Sequence, residues 1–181
     1  MKWAGLSEKD ALYSQRLRLN STHKGWYQLA IFFAHSGDSW FWMAGLGLVW
    51  LFSGPEWRYR SVFMAFSVVV LAVIVIAIKF TVRRRRPEGE WGAIYRNTDP
   101  HSFPSGHAAR AFLLAVLAWA LGPPWFAWLM LIWAPAVSVA RVMMGVHYIS
   151  DVIAGMVTGF LVAVLLLQLQ PMVMSFLSFL F

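Results

Sequence analysis

The segment from Ser61 to Ile78 is a run of 18 residues without a charge, and it is rich in Val and Ile. As a helix it would be about 27 Å long, close to the thickness of a bilayer's hydrocarbon core. Hydrophobic residues make up 60% of the chain and charged residues only 13%, whereas a soluble domain carries about 25% charged residues. The sequence therefore predicts an integral membrane protein.

The remaining chain divides into further apolar blocks, which predict an all-α bundle of about six transmembrane helices. A polar break at His35–Ser39 separates the first two blocks, although one long span with a polar kink is an alternative interpretation. A turn over Ser53–Arg60 follows the second block, and a polar loop over Lys79–Ser105 follows the third. We expect one domain over residues 1–181, with a polar N-terminal segment (1–24), a transmembrane core (25–170) and an unassigned apolar tail (171–181). The N-terminal segment is either an interfacial helix or a solvated tail.

The charge distribution narrows the possible partners. The chain carries 15 basic and 8 acidic residues, a net charge of +7, but the cations are concentrated in a few loops between apolar blocks. This pattern is typical of proteins that meet lipid headgroups or phosphate esters, and it argues against a nucleic-acid partner. The absence of cysteine excludes disulfides, thiolate nucleophiles and Cys-type zinc sites. No metal or cofactor is expected, and the oligomeric state cannot be read from the sequence.

Three polar clusters lie at the ends of predicted spans, all on one predicted face. Taken singly, each has an ordinary explanation, such as a lysine that reaches the interface or a serine that caps a helix. Polar groups at membrane depth are costly unless they are paired or used, so their convergence favours a functional site. The clusters are K-x6-R-P (Lys79, Arg86, Pro87), P-S-G-H (Pro104, Ser105, Gly106, His107) and R-x5-H-x3-D (Arg141, His147, Asp151).

These residue types suit phosphoryl transfer. Lys79, Arg86 and Arg141 offer charges for phosphate oxygens, and Ser105 with the backbone amides at Gly106 and His107 would add donors at the start of a helix. We call Lys79, Arg86, Arg141, Ser105 and Gly106 the phosphate cradle. Covalent phosphoryl transfer needs one group that attacks phosphorus and one that protonates the leaving oxygen. Two histidines, His107 and His147, can fill these roles, and Asp151, four residues after His147 on a predicted helix, can orient that ring.

The three motifs resemble the signature of the type-2 phosphatidic acid phosphatases. The resemblance implies that Lys79, Arg86 and Arg141 bind phosphate and that Ser105 and Gly106 assist. It further implies that His107 is the general acid, His147 the nucleophile and Asp151 its partner, in a metal-independent reaction through a phosphohistidine. One departure is Ala140, which stands where the family usually has serine.

The expected activity is hydrolysis of a lipid phosphate monoester or diphosphate. Candidate substrates are undecaprenyl diphosphate, phosphatidylglycerol phosphate, phosphatidic acid and a lipid A phosphate. A lipid-to-lipid phosphotransferase with the same site and a small non-enzymatic transporter are the alternatives. With the site's own cations set aside, the positive-inside rule places the N-terminus inside. We therefore expect a bacterial cytoplasmic membrane with the active site on its outer face.

Other polar residues near the predicted site are open to two interpretations. His35 and Asp38 could touch a headgroup or simply form a turn. Arg110 could reach the leaving group or extend to the interface. The run Arg83–Arg85 could attract an anionic headgroup, but a generic interfacial basic run is the favoured interpretation. His101 is interpreted as a loop histidine.

Overall fold

A computed structural model describes residues 2–19, 24–88, 91 and 99–181. Within these residues the chain is helical, with no β-strand, which confirms the predicted all-α class. The helices are α1 (Lys2–Arg16), α2 (Lys24–Ser36), α3 (Ser39–Phe52), α4 (Pro55–Val82), α5 (Gly106–Leu121), α6 (Pro124–Met143), α7 (Ile149–Gln168) and α8 (Gln170–Phe176), followed by a 3-10 turn at Ser178–Leu180.

Helix α5 lies at the centre of the bundle, against α4, α6 and α7. Its first two turns are rich in alanine, and Ala108, Ala109 and Ala111 are fully buried. Small residues let neighbouring helices approach closely where lipid provides no hydrophobic driving force. On α7, Gly155 lies so close to the start of α5 that an added Cβ would lie 2.5 Å from the Ser105 carbonyl oxygen. The close contact fixes the start of α7 against the start of α5, where motif residues lie.

Three helices are long and apolar enough to cross a membrane: α4, α6 and α7, with mean hydropathies of 3.0, 1.7 and 2.2. Their outward faces carry exposed apolar residues such as Val73, Ile132 and Leu161, as expected of helices that face lipid. The six predicted blocks correspond to α2–α7. Helices α2, α3 and α5 have only 13, 14 and 16 residues, so the count of six crossings stays a prediction.

Two boundaries of α4 differ from the prediction. The turn predicted over Ser53–Arg60 ends at Gly54, because Pro55 already begins the helix, so its predicted extent is wrong. Proline suits the first helical position, where its missing N–H costs nothing and its φ is already helical. At the other end the helix continues to Val82, and Arg83 caps it with a left-handed φ of 52°. Lys79 therefore lies in the last turn of α4 rather than in the loop.

The polar break and the two termini also take definite forms. Only Gly37 and Asp38 separate α2 from α3, so the first apolar region is two helices and not one kinked span. The tail forms α8, with Pro171 in its first turn and Val173 buried. The N-terminal segment forms α1, where the Ser14 hydroxyl accepts the Ile149 N–H at 2.9 Å. Residues 20–23 and nine residues of the predicted loop (89, 90 and 92–98) lie outside the described residues.

Candidate active site

The fold brings the three motifs to one end of the bundle. Each motif lies at or beside a helix end: the last turn of α4 and the residues after it, the start of α5, and the connection between α6 and α7. The side chain of His107 is 16% exposed, and Gly106 is half-buried. The other six predicted site residues are buried: Lys79, Arg86, Ser105, Arg141, His147 and Asp151.

A cavity of about 380 Å³ opens among these residues. One end is polar and is lined by Lys79, Asp99, His101, His107, Arg110 and His147. The other end is apolar and follows α4 along Val68, Leu71, Ala72, Val75 and Ile76. The cavity thus offers cations and imidazoles at one end and a hydrocarbon wall at the other, a shape suited to an amphiphile with an anionic head.

Asp99 occupies part of the phosphate cradle. Its carboxylate forms an ion pair with Lys79 Nζ, and its Oδ2 lies 2.7 Å from Arg86 Nη2. Arg86 Nε also donates to the Asp99 carbonyl oxygen at 2.6 Å. A carboxylate therefore neutralises two of the cations expected to bind phosphate. Nothing in the motif spacing identified Asp99 as a site residue.

The His147 ring is held in one tautomer by its neighbours. Its Nε2 lies 3.2 Å from Arg86 Nη1, and because arginine can only donate, Nε2 must accept. The ring proton is therefore on Nδ1, which lies 3.5 Å from Asp151 Oδ2. Burial, together with the charges of Arg86, Arg141 and Lys79, holds the pKa of His147 well below its ordinary value. The ring is neutral at physiological pH, and the lone pair on Nε2 is directed to Arg86 Nη1.

The expected placement of His147 on a helix with Asp151 is wrong. His147 precedes α7, which begins at Ile149, whereas Asp151 lies in its first turn. Asp151 Oδ2 accepts the Tyr148 N–H at 2.9 Å, a cap that fixes the carboxylate at the helix start. The bend at Gly145, with a φ of 65°, returns the chain toward the cradle. The pair meets through a tight connection rather than through helical spacing.

Arg84 differs from both of its sequence interpretations. It is half-buried, and it donates to Asp151 Oδ1 at 2.8 Å and to Asp10 Oδ2 at 2.7 Å. Its guanidinium carbon lies 4.1 Å from the centre of the Tyr148 ring. Although burial opposes its charge, Asp151 and Asp10 keep the pKa of Arg84 above its ordinary value. Arg84 therefore binds Asp151 Oδ1, the carboxylate oxygen that does not face His147. Arg83 and Arg85, in contrast, are exposed.

The start of α5 presents the second histidine. The Ser105 hydroxyl caps this helix by accepting the Ala108 N–H, and the Ser105 N–H donates to the Asp151 carbonyl at 2.9 Å. His107 Nε2 lies 2.6 Å from Asp38 Oδ1. Arg110 donates to the Gly37 carbonyl and also lines the cavity. The α2–α3 turn therefore contacts the site through Asp38 and Gly37. The sequence alone had left open whether this turn takes part in the site.

Ala140 belongs to an apolar cluster and not to the lining of the polar cavity. It is buried in an apolar cluster with Ala30 and Ala34 of α2, and the next residue, Arg141, donates to the Ala34 carbonyl at 3.3 Å. The position where the family usually has serine thus contributes packing between α2 and α6. Within the described parts of the chain, no three His, Asp or Glu side chains are grouped to hold a metal ion.

Comparison with known proteins identifies the family of the chain. Residues 60–175 match the family model of the PAP2 superfamily. An undecaprenyl-diphosphatase from Sulfolobus acidocaldarius is 30% identical over 78% of this chain and 69% of its own length. A decaprenylphosphoryl-5-phosphoribose phosphatase from Mycobacterium tuberculosis is 33% identical over 70% of each chain.

Solved structures show the same fold. A transmembrane PAP2-type phosphatidylglycerolphosphate phosphatase from Bacillus subtilis aligns with a TM-score of 0.75, at 21% identity over 92% of this chain and 87% of that one. LpxE from Aquifex aeolicus aligns with a TM-score of 0.66, at 23% identity over 81% and 87% of the two chains. The predicted integral-membrane helical bundle is thereby confirmed. From the family match and the relatives together, the chain belongs to the PAP2 superfamily, which confirms the resemblance drawn from its three motifs and the prediction of a phosphatase.

Proposed function

We propose that the protein hydrolyses a lipid phosphate monoester or diphosphate through a phosphohistidine on His147. The observation that carries the proposal is the buried, unprotonated Nε2 of His147 beside Arg86, at the polar end of a cavity whose far end is apolar. A neutral imidazole among cations is a nucleophile for an anionic phosphate, since the cations offset the charge that would otherwise repel the lone pair.

In the proposed first step, His147 Nε2 forms a bond to phosphorus while the bond to the leaving oxygen breaks. Lys79, Arg86 and Arg141 stabilise the charge of the five-coordinate phosphorus, and His107 gives its proton to the leaving alcohol or phosphate. Asp151 stabilises the positive ring of the phosphohistidine through Nδ1. In the second step His107, now neutral, takes a proton from water, whose oxygen attacks phosphorus and releases His147.

The names of the relatives guide the choice of first substrate. Two of them are named for polyprenyl phosphates, so undecaprenyl diphosphate is the substrate we would test first, beside phosphatidylglycerol phosphate and phosphatidic acid. Purified protein in detergent with EDTA should release inorganic phosphate from at least one of the three. If protein that is verified to be folded released no phosphate from any of the three lipids, the proposal would be contradicted.

We further propose that the site lies on the outer face of a bacterial cytoplasmic membrane. The chain has no cysteine, so single cysteines can report the orientation. Arg85 is exposed at the site end, and Glu56 is exposed at the opposite end of α4. In intact cells, an impermeant maleimide should label Arg85→Cys and leave Glu56→Cys unlabelled. The reverse pattern would place the site in the cytoplasm.

Substrate must displace Asp99 from Lys79 and Arg86, and this displacement predicts the effect of Asp99→Asn. The amide keeps the size of the side chain but removes the charge that competes with phosphate. We expect KM to fall about three- to tenfold, as the loss of one partly exposed competing ion pair implies. Steady-state kinetics with inorganic phosphate as a competing inhibitor measures both affinities, and both should tighten.

The matched control is Glu88→Gln, which removes one negative charge at an exposed position of the same segment. Its KM should stay within about twofold of the wild type, because exposed charges are well screened. If Asp99→Asn instead raised KM, the carboxylate would act to organise the cations and not to compete with the substrate.

A further inference from the structure

The turn between α2 and α3 brings a carboxylate to the second histidine of the site. Asp38 Oδ1 lies 2.6 Å from His107 Nε2, and Asp38 Oδ2 lies 3.5 Å from His35 Nδ1. Asp38 stands at the N-cap of α3, where an aspartate normally accepts a backbone N–H of the helix. Its side chain makes no such cap bond. The carboxylate is therefore directed to the histidine at the expense of its usual local role.

The turn that carries Asp38 is held from several sides. The indole N–H of Trp42 donates to the Ser36 carbonyl at 3.0 Å, and that of Trp133 donates to the Ser36 hydroxyl at 2.9 Å. At the next residue, Gly37, an added Cβ would lie 3.3 Å from His107 Cδ2, so the turn backbone packs closely against the imidazole. Asp38 is thus positioned by tertiary contacts against His107, as a preorganised partner needs to be.

The His107 ring has two arginines near it, and Asp38 is the carboxylate that offsets their charge. Burial, Arg141 of α6 and Arg110 of its own helix all oppose a positive charge on the ring, and Asp38 and His35 face it from the turn. Burial tends to raise the pKa of Asp38, but the hydrogen bond and charge of His107, with His35, hold it below its ordinary value. Asp38 therefore stays ionised at physiological pH. It is the one anion among these four neighbours, and it favours the protonated ring.

We propose that Asp38 is a positioning residue for His107, which it orients through Nε2 and whose protonated form it stabilises, so that Nδ1 can deliver the proton to the leaving oxygen. This inference rests on the proposed function. As the bond between phosphorus and the leaving oxygen breaks, that oxygen takes the Nδ1 proton and leaves as a neutral alcohol or protonated phosphate. His107 becomes neutral while still bound to Asp38. The arrangement parallels the Asp151–His147 pair, in which a carboxylate also lies beside a ring nitrogen.

The test compares two leaving groups in Asp38→Asn. An alkyl phosphate such as phosphatidic acid needs a proton on its leaving oxygen, whereas p-nitrophenolate leaves without one. We expect kcat/KM for phosphatidic acid to fall about 10²- to 10⁴-fold, the range for a lost general acid, and that for p-nitrophenyl phosphate to fall less than about fivefold. The alkaline limb of the phosphatidic acid profile should also move to lower pH, because a neutral amide no longer stabilises the protonated ring.

A double-mutant cycle tests the route through His107. In the His107→Ala background, Asp38→Asn should cause no further loss, since the residue through which Asp38 acts is gone. Glu56→Gln, at the opposite end of α4, is the matched charge control and should leave both substrates unaffected. Thermal unfolding in detergent identifies a folding defect, and Asp38→Ser then supplies a second variant for the same comparison.

The outcomes separate this inference from the proposed function. Equal losses for both substrates, or additive losses in the double mutant, would overturn the role of Asp38 while wild-type phosphate release still supports the phosphatase. A wild type that releases phosphate from none of the three lipid substrates would overturn the proposed function itself. A selective loss with phosphatidic acid and no further loss in the double mutant would establish Asp38 as the partner of the general acid.

Discussion

Replacing His147 by asparagine is expected to lower kcat for phosphate release by about 10⁴-fold or more, the effect of removing a covalent nucleophile. The amide can still accept from Arg86, but its oxygen cannot form a stable phosphoryl bond. His147 is 1% exposed, and asparagine is smaller, so some loss of packing will accompany the change. Phosphate release by the purified variant, measured beside its thermal unfolding in detergent, separates the two effects.

Binding provides the control for this variant. The phosphate cradle, including its cations Lys79, Arg86 and Arg141, keeps its residues in His147→Asn, so the Kd for a non-hydrolysable lipid phosphonate should stay within about fivefold of the wild type. A variant that binds the phosphonate normally but releases no phosphate from substrate has lost only the chemical step. Turnover within tenfold of the wild type would contradict a nucleophilic role for His147.

Replacing Arg86 by lysine is expected to lower kcat/KM by about 10²- to 10³-fold, although the charge is kept. The guanidinium of Arg86 binds in three directions at once: to the Asp99 carbonyl through Nε, to the Val146 carbonyl through Nη1 at 3.0 Å, and beside His147 Nε2 through the same nitrogen. A lysine ammonium cannot reproduce this planar fork. In the variant, His147 Nε2 and the bound phosphate would no longer be held by the same guanidinium.

The chain provides a matched control one residue away. Arg85→Lys makes the same substitution at an exposed side chain of the same segment, and it should leave kcat/KM within about twofold of the wild type. A comparable loss in both variants would mean that the basic run acts through its overall charge. A loss confined to Arg86→Lys assigns the effect to the geometry of its bonds.

Much of the site could be predicted because its motifs are local in sequence. Arg141 and His147 are separated by five residues and Ser105 precedes His107 by two, so each motif carries its own chemistry, and the uncharged runs indicate which helices flank it. The structure brings all eight predicted residues to one end of the bundle. The errors concern helix ends: Lys79 lies inside α4 and His147 outside α7, since capping and connection geometry are weakly encoded by hydrophobic pattern.

Three acidic residues could not be assigned from sequence because their roles depend on distant contacts. Asp38 reaches His107 from 69 positions away, Asp10 reaches Arg84 from 74 positions away, and Asp99 reaches Lys79 from 20 positions away. A single aspartate in a turn or tail has an adequate local explanation as a cap or a solvated group. Only the three-dimensional contacts of α1, of the α2–α3 turn and of the segment before α5 show that each carboxylate faces a particular cation or histidine.

The phosphohistidine on His147 is tested most directly by trapping it. Wild-type protein is mixed with lipid substrate that carries ³²P in the transferred phosphate, quenched in base within milliseconds, and digested for mass spectrometry. We expect label that is stable to base and labile to acid, on the peptide that contains His147, and no label in His147→Asn. Label on another residue, or rapid phosphate release with no trapped label in the wild type or in His107→Ala, would contradict covalent catalysis by His147.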